Sequence, residues 1–287
     1  MPRLDRLSAL LAGLAADVRV RHAGPLPTPL GHAGGRVDEL DLNVVVSGRI
    51  CIDDGHSLRD VEAPGAMITV AREPYRLLPE TAAESIGVNG AGRTGGNGRL
   101  PQLLSASARL SGPAGAALLE AFAQPMILCL DAGSEELVHL LALIRSELDQ
   151  PRCGHAALLS RVGEILLITL LRHIIARPGL GSGLLSALAD PRIARALVAL
   201  HERPAAPWSL EAMAETAGMS RTAFAENFRA RMGITPGNYL GRLRLGIAEQ
   251  AVLAGSGLKR AARAAGYASP SALSRALSRS RLAAGQR

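Results

Sequence analysis

Hydrogen-bonding side chains recur at helical spacing within residues 209–231. Arginine can donate to guanine or to a phosphate, and glutamate can accept from the amino group of cytosine. Four such side chains fall on the exposed face that a helical period predicts: Ser220, Arg221, Thr222 and Glu226. This face predicts contact with nucleic-acid bases. A solvated helix surface has the same composition, so both interpretations stay open.

A second group of such side chains follows in residues 257–281. Ser271, Ser274 and Arg275 are candidates for base contacts, and Arg275 is the strongest of them. Contacts to phosphates position a protein on nucleic acid without reading its sequence. They are predicted for four further arginines: Arg229, Arg231, Arg279 and Arg281.

Two short helices that meet at a glycine must position the first group. Apolar side chains at three- and four-residue spacing mark the inner face of the first helix: Leu210, Met213, Ala214 and Ala217. Gly218 follows, where a helix commonly ends in the left-handed conformation, and Ser220 can cap the next helix. Phe224 and Phe228 lie one above the other on its buried side. This is the pattern of a helix-turn-helix, whose second helix enters the DNA major groove.

The same pattern repeats 48 residues later, where Gly266 takes the place of Gly218. Ser269 is the predicted cap of its second helix, and Pro270 stands at the first helical position. Between the copies, residues 235–255 predict one helix of about 19 residues, or about 28 Å. That length can hold two reading helices near one DNA turn apart, about 34 Å.

Positive charge is concentrated in the last third of the chain. Residues 190–287 hold 15 Lys and Arg against 6 Asp and Glu, whereas residues 1–189 hold 17 against 19. A domain this basic is expected to bind a polyanion, because neutralised phosphates release counterions. A basic surface kept for solubility is the alternative.

Before this domain the pattern is one of short strands, after a predicted helix at 1–16. Strands are predicted at four places: 17–22, 42–46, 49–53 and 67–71. The turns predicted between them are a hairpin at Ser47-Gly48, a turn at 53–55 and a type II turn at Pro64-Gly65. Such strands indicate an antiparallel sandwich or barrel. Residues 85–98 are glycine-rich and predict a mobile loop.

Two longer helices are predicted next, at about 134–149 and 155–176. The second is apolar nearly all round at 165–171, so both of its faces need cover. The sheet can cover one face, and a second copy of the chain can cover the other; core packing alone is the alternative. A linker is predicted at 178–189, and Asp190-Pro191 can start the basic domain's first helix.

Residues 190–282 resemble the DNA-binding domain of the AraC/XylS family of bacterial transcription regulators. The matching residues are Ala214, Ala217-Gly218-Met219-Ser220, Phe224, Phe228, Gly233, Pro236, Tyr239-Leu240, Arg242, Arg244, Ala248, Ala262, Gly266-Tyr267, Ser269 and Ser274-Arg275. The resemblance implies that Thr222, Ala225 and Glu226 face base edges. Leu273 and Leu277 stand where the family usually has Phe, so we expect the second helix-turn-helix to be less firmly packed.

Residues 1–177 more weakly resemble the cupin sensor domain of one branch of this family, through 43–49 and 63–65. Cupin metal sites use His and Glu, and the resemblance places Asn43 and Tyr75 or Arg76 at those positions. These are not metal ligands. The histidines His22, His32 and His56 have no partner spacing, so neither metal nor cofactor is expected.

Three cysteines share no disulfide or metal spacing: Cys51 in a strand, Cys129 near a helix start and Cys153 in a helix–helix turn. Arg152 and His155 can lower the pKa of Cys153, which makes it the candidate for redox sensing; a passive thiol is the alternative. No signal peptide or membrane span is predicted, which suggests a cytoplasmic protein. No catalytic constellation emerges, so we expect no enzyme.

The predicted architecture is α+β with two domains. Residues 1–177 form a cupin-like antiparallel β-barrel with a helical hairpin at about 134–177, and residues 190–287 form an all-α domain with helix-turn-helix motifs at 209–231 and 257–281. The resemblance implies a homodimeric regulator, typically an activator, that binds operator DNA, with RNA polymerase and a small-molecule effector as further partners. A cupin enzyme or a constitutive DNA binder with the same DNA-binding domain are the alternatives.

Overall fold

The computed structural model describes residues 7, 15–34, 38–70, 72, 74–79, 100–111, 113–130, 135–177 and 181–284. Two compact units divide the chain. The sheet unit comprises Ala16–Leu110 and Phe122–His173, and the helical unit is built mainly from Ser111–Ala121 and Ile174–Arg287. The loop predicted at 85–98 lies outside the described residues. So does the helix predicted at 1–16, apart from Leu7, which is helical and buried, and the strand residues that follow from Ala15.

The described part of the sheet unit contains nine strands: β1 (Ala15–Pro25), β2 (Leu30–His32), β3 (Glu39–Ser47), β4 (Arg49–Asp53), β5 (Leu58–Glu62), β6 (Gly65–Thr69), β7 (Tyr75–Pro79), β8 (Gln102–Ser111) and β9 (Met126–Cys129). One sheet has the order β1-β8-β3-β6-β9, and the other has the order β2-β7-β4-β5. The apolar core draws on strands of both sheets, with Val45, Ile50, Met67 and Leu103 among its members. The strands therefore form two antiparallel sheets around one core, and the predicted barrel is not closed.

The predicted hairpin at Ser47-Gly48 is wrong, because the two strands on either side of it belong to different sheets. β3 pairs with β6 and β8, whereas β4 pairs with β5 and β7. β3 lies between β6 and β8, so both of its hydrogen-bonding edges are occupied and neither can pair with β4. Gly48, at φ +79°, carries the chain from one sheet to the other, and a Cβ there would lie 3.0 Å from the Cα of Pro101.

The predicted type II turn at Pro64-Gly65 is also wrong, since Gly65 lacks the positive φ that this turn requires. Gly65 is the first residue of β6, and a Cβ on it would lie 2.3 Å from the carbonyl oxygen of Glu62. Glycine is required at position 65 because a side chain would clash with the backbone, and not because of an unusual backbone conformation. The turn after β4 is confirmed: Gly55 has φ +80°, and its N–H donates to Asp53 Oδ1 at 2.9 Å.

Two long helices of the sheet unit follow, as predicted, after α1 (Pro113–Ala121): α2 (Glu135–Asp149) and α3 (His155–Ala176). α3 packs closely on β1, because a Cβ on Gly163 would lie 2.8 Å from Val18 Cγ1. The hydroxyl of Ser160 donates to the Val18 carbonyl at 3.2 Å. Among the described residues, no helix combines the length and hydropathy needed to cross a bilayer.

The helical unit contains α1 together with α4 (Leu184–Ala189), α5 (Pro191–Glu202), α6 (Leu210–Ala217), α7 (Arg221–Met232), α8 (Pro236–Leu253), α9 (Leu258–Ala264) and α10 (Pro270–Ala284). The linker predicted at 178–189 requires correction, because its second half is the helix α4. That helix buries five of its six residues, since its composition is mostly Leu and Ala. α1 lies between β8 and β9 in sequence but packs with α4 and α8.

The predicted helix ends are confirmed by their capping bonds. Asp190 Oδ1 accepts the N–H of Arg192 at 2.9 Å, and Thr235 Oγ1 caps α8. Gly218 and Gly266 adopt the left-handed conformation, at φ +66° and +73°. Both helix-turn-helix motifs are therefore formed where the sequence predicts them: α6–α7 is called the first head and α9–α10 the second head.

The stability of the helical unit is expected to fall in mild acid because of His201. Burial lowers the pKa of His201 from 6.5 to about 4. Between these values the unfolded chain binds a proton that the folded chain does not, so acid favours unfolding. We expect the free energy of unfolding to fall by about 1–2 kcal/mol between pH 7.5 and pH 5. Urea titrations that follow the fluorescence of Trp208, the single tryptophan of the chain, measure this.

The control is His201→Gln, whose amide can still hydrogen-bond the Tyr239 hydroxyl but does not titrate. It should lose the part of the pH dependence that His201 contributes. An unchanged pH dependence in this variant would contradict the assignment.

Candidate nucleic-acid interface

An aromatic cluster holds the reading helix of the first head. The rings of Phe224 and Phe228 on α7 lie 5.5 Å apart, and Phe228 meets Tyr239 of α8 edge-on at 5.8 Å. The hydroxyl of Tyr239 lies 2.7 Å from Nε2 of His201 on α5. Both Phe side chains are fully buried. Large rings on three helices thus fix the orientation of α7 and of the face that it turns to solvent.

The side chains of α7 that are predicted to contact DNA bases or phosphates lie on that outer face. Ser220, Arg221, Thr222, Glu226 and Arg229 are exposed, and Ala225 is half-buried. Ser220 Oγ accepts the N–H of Ala223 at 3.3 Å, so this hydroxyl caps the helix as well as facing outward.

Arg221 already has a partner within the head. Its Nη1 lies 2.9 Å from Glu211 Oε1 on α6, and this guanidinium lowers the pKa of Glu211. Both side chains are exposed, and exposed ion pairs contribute little free energy. Arg221 can therefore exchange the carboxylate for a phosphate at little cost.

The second head has a smaller core. Its buried residues are Ala248, Ala261, Ala262, Ala265 and Leu273. Leu273 occupies the place that Phe224 has in the first head. Leu277, at the place of Phe228, is only partly buried. A leucine side chain buries less apolar surface than a phenylalanine ring, so these two positions stabilise the second head less than the first. This agrees with the expectation of weaker packing.

The exposed side of the second head is a shallow, cationic concavity of about 660 Å³. Its lining includes Tyr267, Ser274, Arg275 and Arg279, and no acidic side chain is among the described lining residues. Ser271 is exposed nearby on α10, and Ser269 Oγ caps that helix by accepting the N–H of Ala272 at 3.1 Å. Three of the predicted residues of α10, Ser274, Arg275 and Arg279, therefore share one concave surface.

Three of the predicted arginines are available for an anionic partner. Among the described residues, Arg229, Arg275 and Arg279 form no ion pair with a carboxylate. By contrast, Arg231 lies 3.6 Å from Asp190 Oδ2, inside the helical unit. Arg229 and the two α10 arginines thus offer positive charge from both heads, which is what binding to phosphates requires.

The sheet unit contains a buried polar cluster that sequence reasoning missed. Asp41 is 1% exposed, and its Oδ1 accepts from Arg21 Nη2 at 2.7 Å. Its Oδ2 lies 3.0 Å from both the Tyr75 hydroxyl and His32 Nε2. His32 has no metal-ligand spacing in the sequence, and the structure gives it the Asp41 carboxylate as a partner. β3 is buried along nearly its whole length, so no alternation distinguishes Asp41, and the partners of this carboxylate lie 9 to 34 positions away along the chain.

The cluster continues through the two positions that the cupin resemblance singled out. Asn43 Nδ2 donates to the Tyr75 hydroxyl at 2.9 Å, and Ser105 Oγ donates to Asn43 Oδ1 at 2.7 Å. An amide and a phenol thus meet where a cupin metal site has ligands. No group of three metal-ligating side chains comes together in the part of the chain that the structure describes.

Hydrogen bonds show which ring nitrogen of His32 carries the proton. Its Nδ1 accepts the N–H of Gly34 at 3.1 Å, so the ring proton must lie on Nε2 and point to Asp41. Burial, together with the charge of Arg21, lowers the pKa of His32 to about 4. Burial also raises the pKa of Asp41 to about 6, against the effects of Arg21 and Tyr75. At neutral pH the cluster holds an ionised Asp41 and a neutral His32.

A cavity of about 480 Å³ adjoins this cluster at Tyr75. Its apolar walls include Ile52, Met67 and Val70, and Arg59 and His56 contribute polar groups. This combination suits a small molecule with an apolar body and one polar or charged end.

The cysteines are placed differently from one another. Cys51 is buried in β4, where burial raises its pKa, and Cys153 is exposed between α2 and α3. Cys129 is the last residue of β9, shortly before α2 begins at Glu135. Arg152 and His155 both bind the buried carboxylate of Glu147, at 3.0 and 3.3 Å. These two side chains are therefore engaged elsewhere than at the Cys153 thiol.

Comparison with known proteins agrees with these two units. Residues 5–176 match the cupin family, and residues 213–281 match a helix-turn-helix domain family. An AraC-like transcription regulator of Streptomyces lividans is 36% identical over 148 residues, which are 51% of this chain and 49% of that protein. A second, of Streptomyces antibioticus, is 34% identical over 160 residues, 54% of this chain and 53% of that protein.

The chain thus spans about half the length of the curated relatives it matches. The crystal structure of ToxT from Vibrio cholerae O395 aligns with 92% of each chain at 7% identity, with a TM-score of 0.35. A similarity this low carries no argument about function.

Removing the Tyr75 hydroxyl tests the buried cluster. Tyr75→Phe leaves Asn43 without an acceptor and Asp41 with one donor fewer, both in the core. We expect the free energy of unfolding of the sheet unit to fall by about 1–3 kcal/mol. Hydrogen exchange at β3 and β7 in the full chain measures this change.

Arg161→Ala is the control for that variant, because it removes the exposed pair Arg161–Glu164 in the same unit. It should change stability by less than about 0.5 kcal/mol. Equal effects of the two substitutions would show that the cluster adds nothing to stability.

Proposed function

We propose that this chain, which belongs to the cupin family and carries a helix-turn-helix domain, is a transcription regulator of the AraC/XylS type that binds operator DNA sequence-specifically and controls transcription there. The observation that carries this proposal is the pair of heads on one shared helix. Each head turns an exposed, polar reading helix to solvent. The site of action is the cytoplasm, where operator DNA and RNA polymerase are found.

The exposed faces of α7 and α10 divide into base-reading and phosphate-binding groups. On α7 we assign base contacts to Thr222, Ala225 and Glu226, and on α10 to Ser271, Ser274 and Arg275. The helix caps Ser220 and Ser269, together with Arg221, Arg229 and Arg279, bind phosphates. Glu226 accepts from cytosine, whereas Arg275 donates to guanine.

Arg275→Ala tests this division. Loss of a bidentate base contact should weaken binding to the operator about 5- to 150-fold and leave binding to random DNA nearly unchanged. Fluorescence anisotropy measures both affinities, with an operator fragment selected from random DNA by the purified chain.

Arg279→Ala is the matched control on the same helix. Loss of a phosphate contact should weaken binding to the operator and to random DNA about equally. It should also reduce the slope of log affinity against log salt concentration by about 1. If Arg275→Ala weakens binding to random DNA as much as binding to the operator, Arg275 binds a phosphate and reads no base.

The cavity beside Tyr75 is the proposed effector site. Its apolar walls and its polar groups at Arg59 and His56 suit a small molecule of mixed character. A bound effector would change the affinity for operator DNA through a coupling free energy. Operator affinity that stays constant across a metabolite screen would identify a constitutive binder instead.

A homodimer is proposed through the exposed apolar side chains of α2 and α3. Ile165 is 53% exposed and Val138 is 51% exposed. Exposed aliphatic side chains of this size on two helices of one unit support an apolar contact with a second copy.

Ile165→Glu tests the dimer. A charge at this exposed position should leave the fold intact but weaken self-association at least about tenfold, because it would be desolvated in the contact. Sedimentation equilibrium should give a dimer of the 29.9 kDa chain for the unsubstituted protein and a monomer for the variant.

Leu253→Glu is the control, since Leu253 is 86% exposed on α8, in the helical unit. It should remain dimeric. A dimeric Ile165→Glu variant would refute the assignment of the interface.

A further inference from the structure

The elbow, residues 204–207, joins α5 to the first head and is held by an arginine from α8. Arg244 Nε donates to the carbonyl oxygen of Pro204 at 2.8 Å, and Nη2 donates to that of Ala206 at 2.7 Å. A guanidinium is a planar fork, so two such bonds define orientation as well as distance. Arg244 therefore ties the elbow to α8.

The turn of the second head also meets the elbow. Gly266 has φ +73°, and a Cβ on it would lie 2.6 Å from the Cα of Ala205 and 3.0 Å from its carbonyl oxygen. Backbone touches backbone here, so any side chain at position 266 would push the two apart. The second head is thus in direct contact with the segment that leads into the first head.

The elbow itself is braced. The indole N–H of Trp208 donates to the carbonyl of Arg203 at 2.8 Å, and the Arg203 guanidinium lies 5.5 Å from the Trp208 ring centre. The backbone N–H of Trp208 also donates to the carbonyl of Ala206. Ser209, which caps α6, follows immediately. A displacement of the elbow would therefore be passed on to the first head.

With α8 as the sole connection, any bend of that helix would change the position of one head relative to the other. α8 has 18 residues and is about 27 Å long. A rotation of about 10° at one end would move the far head by about 5 Å, more than the rise of about 3.4 Å per base pair. A second contact that lies off the helix axis removes this freedom.

We propose that the elbow clamp, formed by Arg244 and Gly266 around residues 204–206, sets the distance between the two half-sites that the chain accepts. This inference rests on the proposed function, because it presupposes an operator read by both heads. Arg244 and Gly266 are positioning residues: they act through the elbow and need not touch DNA.

Arg244→Gln and Gly266→Ala test the clamp in the full chain. Affinities are measured for the selected operator, for operators with one base pair inserted or deleted between the half-sites, and for each half-site alone. For the unsubstituted chain, inserting or deleting one base pair between the half-sites should reduce the affinity at least about tenfold. Both variants should bind the selected operator about tenfold more weakly than the unsubstituted chain does. A change of one base pair in the spacing should then reduce their affinity by less than about threefold. Their affinity for each half-site alone should stay within about twofold of that of the unsubstituted chain.

Two controls separate the clamp from general effects in the same region. Arg242→Gln removes an exposed arginine from the same helix, and Gly257→Ala adds a Cβ with no atom within 4 Å. Both should keep the spacing preference of the unsubstituted chain. Arg244→Lys retains the charge but not the two-point hold, so it should behave like Arg244→Gln; full restoration by Lys would mean a phosphate contact and overturn the proposal.

Two further outcomes distinguish the clamp from the function on which it rests. If the unsubstituted chain binds no DNA with two half-sites, the proposed function fails, and the clamp with it. If it does bind and the variants retain its spacing preference, or lose half-site affinity as strongly as operator affinity, the clamp alone is refuted.

Discussion

The helix α8 takes part in the cores of both heads, and this shared membership constrains the rest of the helical unit. Its first half contributes Tyr239 to the aromatic cluster under α7, whereas its second half contributes Ala248 to the core under α10. A helix cannot satisfy two cores independently, because its side chains keep a fixed rise and rotation per residue. The relative placement of the two reading surfaces therefore follows from the geometry of one element, and the elbow supplies the contact off its axis.

The two heads are built with unequal energies. Phe224 and Phe228 bury large rings in the first head, whereas Leu273 and Leu277 stand at those positions in the second. Gly266 of the second head approaches the backbone of Ala205 closely because it has no side chain. The position of the second head is accordingly more dependent on contacts outside its own core.

In the sheet unit, the arrangement of polar side chains in the core depends on a buried charge. Asp41 is an ionised side chain in a core, and such a group is stable only when donors surround it. Arg21, His32 and Tyr75 provide them, and the tautomer of His32 follows from its bond to Gly34. Tyr75 belongs both to this network and to the lining of the proposed effector cavity. A ligand that contacts Tyr75 would therefore change the hydrogen bonding of the buried Asp41 carboxylate.

Sequence alone determined the features that depend on residues close together along the chain. Caps, left-handed glycines and apolar spacing act within about four residues, which is why both helix-turn-helix motifs, α2 and α3 could be predicted. Only the tertiary structure decided the assignment of β3 and β4 to different sheets, the helix within 178–189 and the membership of α1 in the helical unit. It also brought Ser105 to Asn43, 62 positions away, and Gly266 to Ala205. Such contacts depend on the packing of whole elements, which no local pattern of residues encodes.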